Sequence, residues 1–473
     1  MQSPKAFANL KNMKSNPLQY LDEHFEKLLD ELKDYSRIQS VSFEGYPAHT
    51  LEESAVWTER KLKSIGLENV QTIKIPDAHP YVYGEWLHAP GKPTVLLYGH
   101  HDVQPPGRSE LWGSPCFEPT LRADGRLYGR GVADDKAGVL MHVAAVEAYL
   151  KTHGSLPLNV KFIVEGEEET GSKHLQEFLQ QYKNLLSADF LVLTDTANLE
   201  EGLPSITYNL RGIVDGALEV RTLKHPVHSG MWGGPAVDAI TVLSKLIAKL
   251  TDANGKIAIP GFYDDVPELS SFEKEKFKKL PFNEKRFKEE LGSVPSLQLG
   301  GEKDFSVFER MWARPSIAVL GVDTQDIPTA SNKIVEFARA KISIRIVAGQ
   351  DPERCMKLLQ DFFSREVSYA AEVSFHPGVA NPGWRCDPQG PAFEAAAKAL
   401  EKGYGVPAAF IGCGASIPFV KPISEVFGNI PALLIGIEDP LTNAHGENES
   451  LSVSDWKKGM KAAVYLYEEL AQL

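Results

Sequence analysis

An apolar run that stops abruptly in carboxylates constrains this chain more than any other feature. Val160-Lys161-Phe162-Ile163-Val164 leads directly into Glu165-Gly166-Glu167-Glu168-Glu169-Thr170-Gly171-Ser172. The apolar part fits a strand buried on both faces, the pattern of a parallel sheet. Its end then places four acids within five residues. Packed carboxylates repel one another and lose hydration. Such a cluster is tolerable when fully solvated or when a cation neutralises it.

The same design recurs. Thr94-Val95-Leu96-Leu97-Tyr98 ends at Gly99-His100-His101-Asp102. Phe190 to Thr194 ends at Asp195, and Ala432 to Ile437 precedes a loop carrying Asn443-Ala444-His445-Gly446. Helical periodicity fills the intervals, over Tyr20 to Ser36, Leu51 to Ile65 and Lys136 to Leu150. Strands alternating with helices imply an α/β fold with a largely parallel sheet. Ligands bind such sheets beyond the carboxyl ends of the strands. His100, Asp102, Glu167 to Glu169, Asp195 and His445 all follow predicted strands, so distant segments converge on one edge.

The middle of the chain reads as a second, smaller α/β domain inserted into the first. Strands are predicted at Gly212 to Val220, Lys341 to Val347 and Ala371 to Phe375, and helices at Ala236 to Leu250 and Pro352 to Arg365. Phe272 to Leu291, rich in Lys and Glu, reads as a solvated helix. The expected division is 1–211 plus 384–473 for the outer domain and 212–383 for the insert, and 473 residues suffice for two domains.

The formal charge of −13 argues against nucleic-acid and anionic-membrane partners. No apolar run approaches the ~20 residues of a membrane helix. Four scattered cysteines, without CxxC spacing, suit reduced thiols in the cytoplasm, and no secretory leader is expected from the first residues.

Imidazole nitrogen and carboxylate oxygen are the ligands that borderline metals such as zinc accept. A two-metal site needs a bridging carboxylate, and a nearby glutamate that is not a ligand can take a proton from bound water. Glu168 and Glu169 suit that division of labour. The residues alone leave two choices open, His100 against His101 and Asp134 against Asp135.

In combination these residues resemble a known family. His100-x-Asp102, Arg130-Gly-x-x-Asp134-Asp135-Lys136, Glu168-Glu169-x-Gly171-Ser172, Asp195 and the late His445 resemble the M20 metallopeptidases over nearly the whole chain. Tyr98-Gly-His-x-Asp-Val-Gln-Pro105, Pro260-Gly-Phe-Tyr-Asp-Asp-Val266 and Glu309-Arg-Met-Trp-Ala-Arg-Pro315 place the likeness in the dipeptidase branch.

The resemblance implies two divalent ions, zinc or manganese, in a zinc-exopeptidase-like catalytic domain. His100 and Asp195 would hold one ion, Glu169 and His445 the other, and Asp134 would bridge them. Glu168 would act as general base towards a hydroxide held between the ions, and Asp102 would orient His100. The family spacing favours His100 over His101 and Asp134 over Asp135, with a cis peptide between Asp134 and Asp135. The insert would be a lid that also forms a homodimer, with His228 reaching across to stabilise the oxyanion. Asn332, Arg345, Ser416 and His445 would contact substrate, a small peptide with a free carboxylate gripped by Arg345. A hydrolase of N-acyl or N-carbamoyl amino acids on the same scaffold is the alternative.

Overall fold

The longest apolar runs become the middle of a sheet in the computed structural model of the chain, which describes residues 16–473 except 416, 418, 419 and 429. Asn159–Glu165, Thr94–His100, Phe190–Ala197 and Ala432–Glu438 lie side by side in that order, all parallel. Each is buried along nearly its whole length. That is why their sequences are continuous apolar runs rather than alternating ones. The sheet is therefore largely parallel, as expected, but it gains antiparallel margins. Tyr81–Trp86 and then Glu68–Ile73 extend one side, and Ser205–Leu210 the other.

Parallel strands end at the same edge, and in this sheet the edge is acidic. His100 and Glu165 are paired directly across the first two strands. Asp195 and Glu438 lie at the same end of the next two. Lys136–His153 packs against this sheet. Fifteen of its 18 residues are buried, so it has no polar stripe and is a central element rather than a surface one. Gly154 closes it in the left-handed region at φ 71°. Pro17–Arg37 and Val453–Leu470 pack on that helix, and Pro391–Tyr404 packs on Val453–Leu470.

The described residues divide into two compact units. The one just outlined comprises residues up to Tyr208, Cys386–Phe410 and the chain from 420 onward. The other is built from Asn209–Arg385 and the short stretch that follows Ile411. Its sheet has the order Ser316–Asp323, Phe337–Ile346, Gly212–Arg221, Glu372–Asn381 and is antiparallel throughout. Ala239–Ala248 and Pro352–Arg365 cover this sheet around a core that includes Val214, Leu218, Val242, Ile342 and Leu359. The stretch read as one helix from Phe272 is two, Ser271–Lys279 and Glu284–Glu290. Pro281 breaks them apart, because a residue before proline is pushed out of helical geometry. The edge strand Ser316–Asp323 has no counterpart in the sequence reading. Its residues are mostly exposed, so no burial period marks it.

Among the described residues no helix is long and apolar enough to cross a membrane, and no disulfide joins the four cysteines.

Candidate metal centre

Three groups of potential ligands lie at the acidic edge of the first unit. His100, Glu168 and Asp195 form one, Asp134, Glu169 and His445 a second, and Asp134, Asp195 and Glu438 a third. Within each group one ligand atom per residue lies within 4.8 Å of the others. Asp134 joins the two histidine-bearing halves. Its Oδ1 is 3.0 Å from His100 Nε2, and its Oδ2 is 3.0 Å from His445 Nε2. His100 Nε2 is also 3.8 Å from Asp195 Oδ2, and His445 Nε2 is 3.2 Å from Glu169 Oε2.

The donor set fits divalent cations. His100 is fully buried, and its Nε2 makes no well-aligned hydrogen bond although two carboxylates face it. A buried ring nitrogen without a partner is costly, and an ion between it and the carboxylates removes that cost. The other ring nitrogen, Nδ1, is 3.1 Å from the Asp102 carbonyl and 3.3 Å from its Oδ1. That contact places the Nδ1 proton and leaves Nε2 as the lone-pair donor.

The charges act as such a cluster should without a counter-ion. Burial, and then the Asp195, Glu169 and Asp134 charges, hold Glu168 well above the usual carboxylate range against the pull of His100. Burial and the Asp134 charge raise Glu169 to about 7 and Asp195 to about 6. Despite its burial, Asp134 is pulled down by His100 and His445. Hydrogen bonds that the ring donates to the Asp134 and Glu169 carboxylates push His445 up to about 11. The raised values of Glu168, Glu169, Asp195 and His445 are ones that a bound cation would bring down.

The ligand loops are held by acids that are not themselves in the groups. Asp102 accepts the backbone N–H groups of Glu168 and Glu169 at 3.2 and 3.1 Å and the Ser42 hydroxyl at 2.6 Å. Glu449 accepts the Arg130 guanidinium at 2.7 Å and the N–H groups of Gly131, Ala133 and Asp134 at 3.1 to 3.3 Å. Arg130 in turn donates to the His445 carbonyl at 3.3 Å, which ties both histidine-bearing halves together. His445, Asn443 and Asn448 all have φ between 53° and 64°, a strained backbone for non-glycine residues that such anchoring sustains. Gln104 donates to Glu169 Oε2 at 2.7 Å.

The structure separates the paired candidates. His101 turns away, with Nε2 3.0 Å from the Pro80 carbonyl, and burial pulls it down to about 4. Asp135 sits beneath the strand and accepts the His100 N–H at 3.2 Å. The peptide between Asp134 and Asp135 is cis. Glu165 and Glu167 are buried and belong to none of the three ligand groups. Tyr98 donates to Glu165 at 2.5 Å and Tyr81 to Glu167 at 2.9 Å. His174, which carried no signal in the sequence, also contacts Glu167.

In the second unit, His228 and Asn332 are neighbours. His228 pairs with Lys333 across a two-stranded ladder, and the Ser229 N–H donates to the Asn332 carbonyl at 2.9 Å. Both residues are exposed. Arg345 lies on the Phe337–Ile346 strand, opposite Ser316 and Ile213. Arg211, absent from the sequence reading, is close enough that burial and the Arg345 charge pull it down to about 10. Ser416 lies outside the described residues.

Glu438, Glu449, Arg211 and Gln104 were missed as site residues. For Gln104 the signal was available, since it stands inside the Tyr98-to-Pro105 motif, and for Glu438 as well, since it directly follows the apolar run Ala432 to Ile437. Nothing in the local sequence marks Glu449 or Arg211.

A strand-edge cluster of two histidines and shared carboxylates defines a metallohydrolase site on an α/β scaffold. The pattern that defines peptidase family M20/M25/M40 matches residues 96–469, and the chain belongs to that family. It is a metallopeptidase of the dinuclear kind. Among curated relatives, it is 31% identical to a cysteinylglycine-S-conjugate dipeptidase of Corynebacterium striatum, covering 91% of this chain and 92% of that protein. Among solved structures, it resembles human carnosine dipeptidase 1 at 27% identity with a TM-score of 0.78, covering 97% of this chain and 98% of that one. The dipeptidase Dug1p of Saccharomyces cerevisiae matches at 26% identity and a TM-score of 0.77 with the same coverage.

Proposed function

We propose that the protein hydrolyses the peptide bond of dipeptides or very short peptides with a free C-terminal carboxylate. One observation carries the reading. Asp134 presents one oxygen to each histidine at 3.0 Å, so that it would be placed to bridge two ions held by those histidines. His100 and Asp195 would hold one ion and Glu169 and His445 the other, zinc or manganese. When bound, such ions polarise a carbonyl and lower the pKa of water to near 7.

The chain's own residues then do the rest. Glu168 stands against His100 and Asp195, a place from which it could take a proton from the attacking water and return it to the leaving amine. Asp102 fixes the His100 ring and, through two backbone N–H groups, the placement of Glu168 and Glu169. In the second unit Arg345 would grip the substrate carboxylate. Arg211 beside it supports this, because two adjacent guanidiniums repel until an anion joins them. Asn332, Ser416 and His445 are assigned to substrate contact, and His228 to the oxyanion.

We assign residues 1–211 with 384–473 to catalysis and 212–383 to a lid through which two copies pair, His228 acting on the partner's site. The exposed edge strand Ser316–Asp323, with Val319, Leu320 and Val322 outward, supports pairing there. Four cysteines with no disulfide among them support a cytoplasmic location.

The test is an assay of chelator-treated protein against free dipeptides, N-acyl amino acids and N-carbamoyl amino acids. Only the dipeptides should be cleaved, and only after zinc or manganese is restored. Glu168→Gln should retain two ions per chain and lose activity by at least about a hundredfold. Full activity in that variant sinks the mechanism. Cleavage of the acylated substrates alone sinks the dipeptidase assignment.

A further inference from the structure

The five ligands assigned above leave one carboxylate of the cluster without a role. Glu438 is the last residue of the Ala432–Glu438 strand and lies beside Phe190–Ala197, the strand that carries Asp195. The ladder between these strands is regular up to Leu434 opposite Leu193 and then shifts twice, so that Gly436 meets Thr196 and Glu438 meets Ala197. The close approach depends on Gly436, where a Cβ would stand 2.4 Å from Asn198 Oδ1 and 2.7 Å from its backbone nitrogen. The Asn198 N–H donates to the Glu438 carbonyl at 2.8 Å and fixes the strand end. As a result one oxygen each of Glu438, Asp195 and Asp134 lie within 4.8 Å of one another. The buried, unpartnered His100 Nε2 faces the same two aspartates.

We propose that Glu438 is a sixth metal ligand, which supplies an oxygen to the ion shared by Asp134 and Asp195 and biases that position towards manganese over zinc. The inference rests on the dimetal reading above. Ligand chemistry favours it. Zinc is satisfied by four ligands including imidazole, whereas manganese prefers more ligands and an oxygen-rich set. An Asp134–Asp195–Glu438 face around one ion is such a set.

The experiment uses the full chain, stripped with chelator and titrated with Mn²⁺, the free ion being followed by electron paramagnetic resonance. Zn²⁺ competition gives the preference between the metals. Wild type, Glu438→Gln and Glu438→Asp are compared. We expect wild type to bind two Mn²⁺ per chain. Glu438→Gln should weaken one of them by about 10- to 100-fold, the range for lost support at a metal site, with a smaller effect on Zn²⁺. Glu438→Asp should recover part of the loss. In Co²⁺-loaded wild type the visible bands should be weak, as for five or six ligands, and should intensify in Glu438→Gln. An unchanged ratio of Mn²⁺ to Zn²⁺ affinity in Glu438→Gln, or intense four-coordinate bands from both Co²⁺ ions in wild type, overturns this inference alone. The second readout needs no variant to fold. Wild-type protein that binds no divalent ion overturns the dimetal reading and this inference with it.

Discussion

Replacing Glu449 by alanine should destabilise the fold more than any other single change at the site. Its carboxylate is fully buried and accepts four hydrogen bonds, one from Arg130 at 2.7 Å and three from backbone N–H groups between Gly131 and Asp134. Arg130 is itself only 1% exposed. The alanine variant therefore strands a buried guanidinium, at a cost of about 3–5 kcal/mol. Three backbone donors also lose their acceptor, although water entering the gap offsets part of that. A loss of about 4 kcal/mol is a large share of the ~5–15 kcal/mol that holds a typical domain together. Glu449→Gln keeps the shape and an acceptor oxygen, so its loss should be smaller, about 1.5–3 kcal/mol. The assay is urea unfolding of chelator-treated protein, which separates the loop's stability from metal binding. Arg130→Ala and the double variant complete a cycle, with an expected coupling of about 1–3 kcal/mol. The reasoning fails if Glu449→Ala costs under about 1 kcal/mol, or if the two single losses simply add.

Three further outcomes follow from the geometry. His142 is fully buried, with Nδ1 2.9 Å from the Tyr467 hydroxyl, and burial pulls it down to about 3. The fold thus holds it neutral, so its contribution is complete above the unfolded value of about 6.5 and is lost as pH falls from there towards 3. Between pH 6.5 and 4.5 wild type should lose about 2–3 kcal/mol more than His142→Gln in urea titrations of metal-free protein, and equal losses would refute the assignment. Gly138→Ala places a Cβ 2.0 Å from Asp135 Oδ1 and 2.7 Å from Thr194 Oγ1. The usual helix gain from alanine should reverse into a loss of about 1–3 kcal/mol, with weaker metal binding because Asp135 supports the His100 backbone; a stabilised variant with normal metal content would contradict this. Leu320→Lys puts a charge on the exposed edge strand of the second unit; on the pairing proposed above, sedimentation should show dimers for wild type and monomers for the variant, with activity lost as well. A dimer that survives the change removes that strand from the interface.

The sequence made the strand ends legible because each buried parallel strand is a continuous apolar run, and a run that ends in His or acid is conspicuous. That logic brought His100, Asp102, Glu167 to Glu169, Asp195 and His445 to one edge, whereas Asp134, which lies before a helix, came only from the family resemblance. It could not read what depends on register or on distant partners. Glu438 reaches the cluster only because the ladder slips twice near Gly436. Glu449 and Arg130 are 319 residues apart and meet only in the fold. Nor does the sequence show that Glu165 and Glu167 are buried rather than solvated. The hydroxyls of Tyr98 and Tyr81, from neighbouring strands, are what make their burial tolerable. The antiparallel edge strands escaped for the opposite reason, since short or exposed strands carry no strong period.

The acids of this edge differ in what their oxygens face, and that difference assigns their work. Asp102 and Glu449 point into backbone N–H groups, a hydroxyl and a guanidinium. They are satisfied by the chain itself, and their removal should be felt first as lost structure. Asp134, Glu168, Glu169, Asp195 and Glu438 face one another and two histidines. Burial and mutual repulsion raise Glu168, Glu169, Asp195 and Glu438, while the two histidines pull Asp134 down. The chain's own donors do not neutralise this second set, so its stability is coupled to what binds there. Stripping the metal should therefore mimic the loss of a ligand but not the loss of Glu449. Where the two treatments act alike on Tm, the division into loop-building and ion-holding carboxylates is wrong.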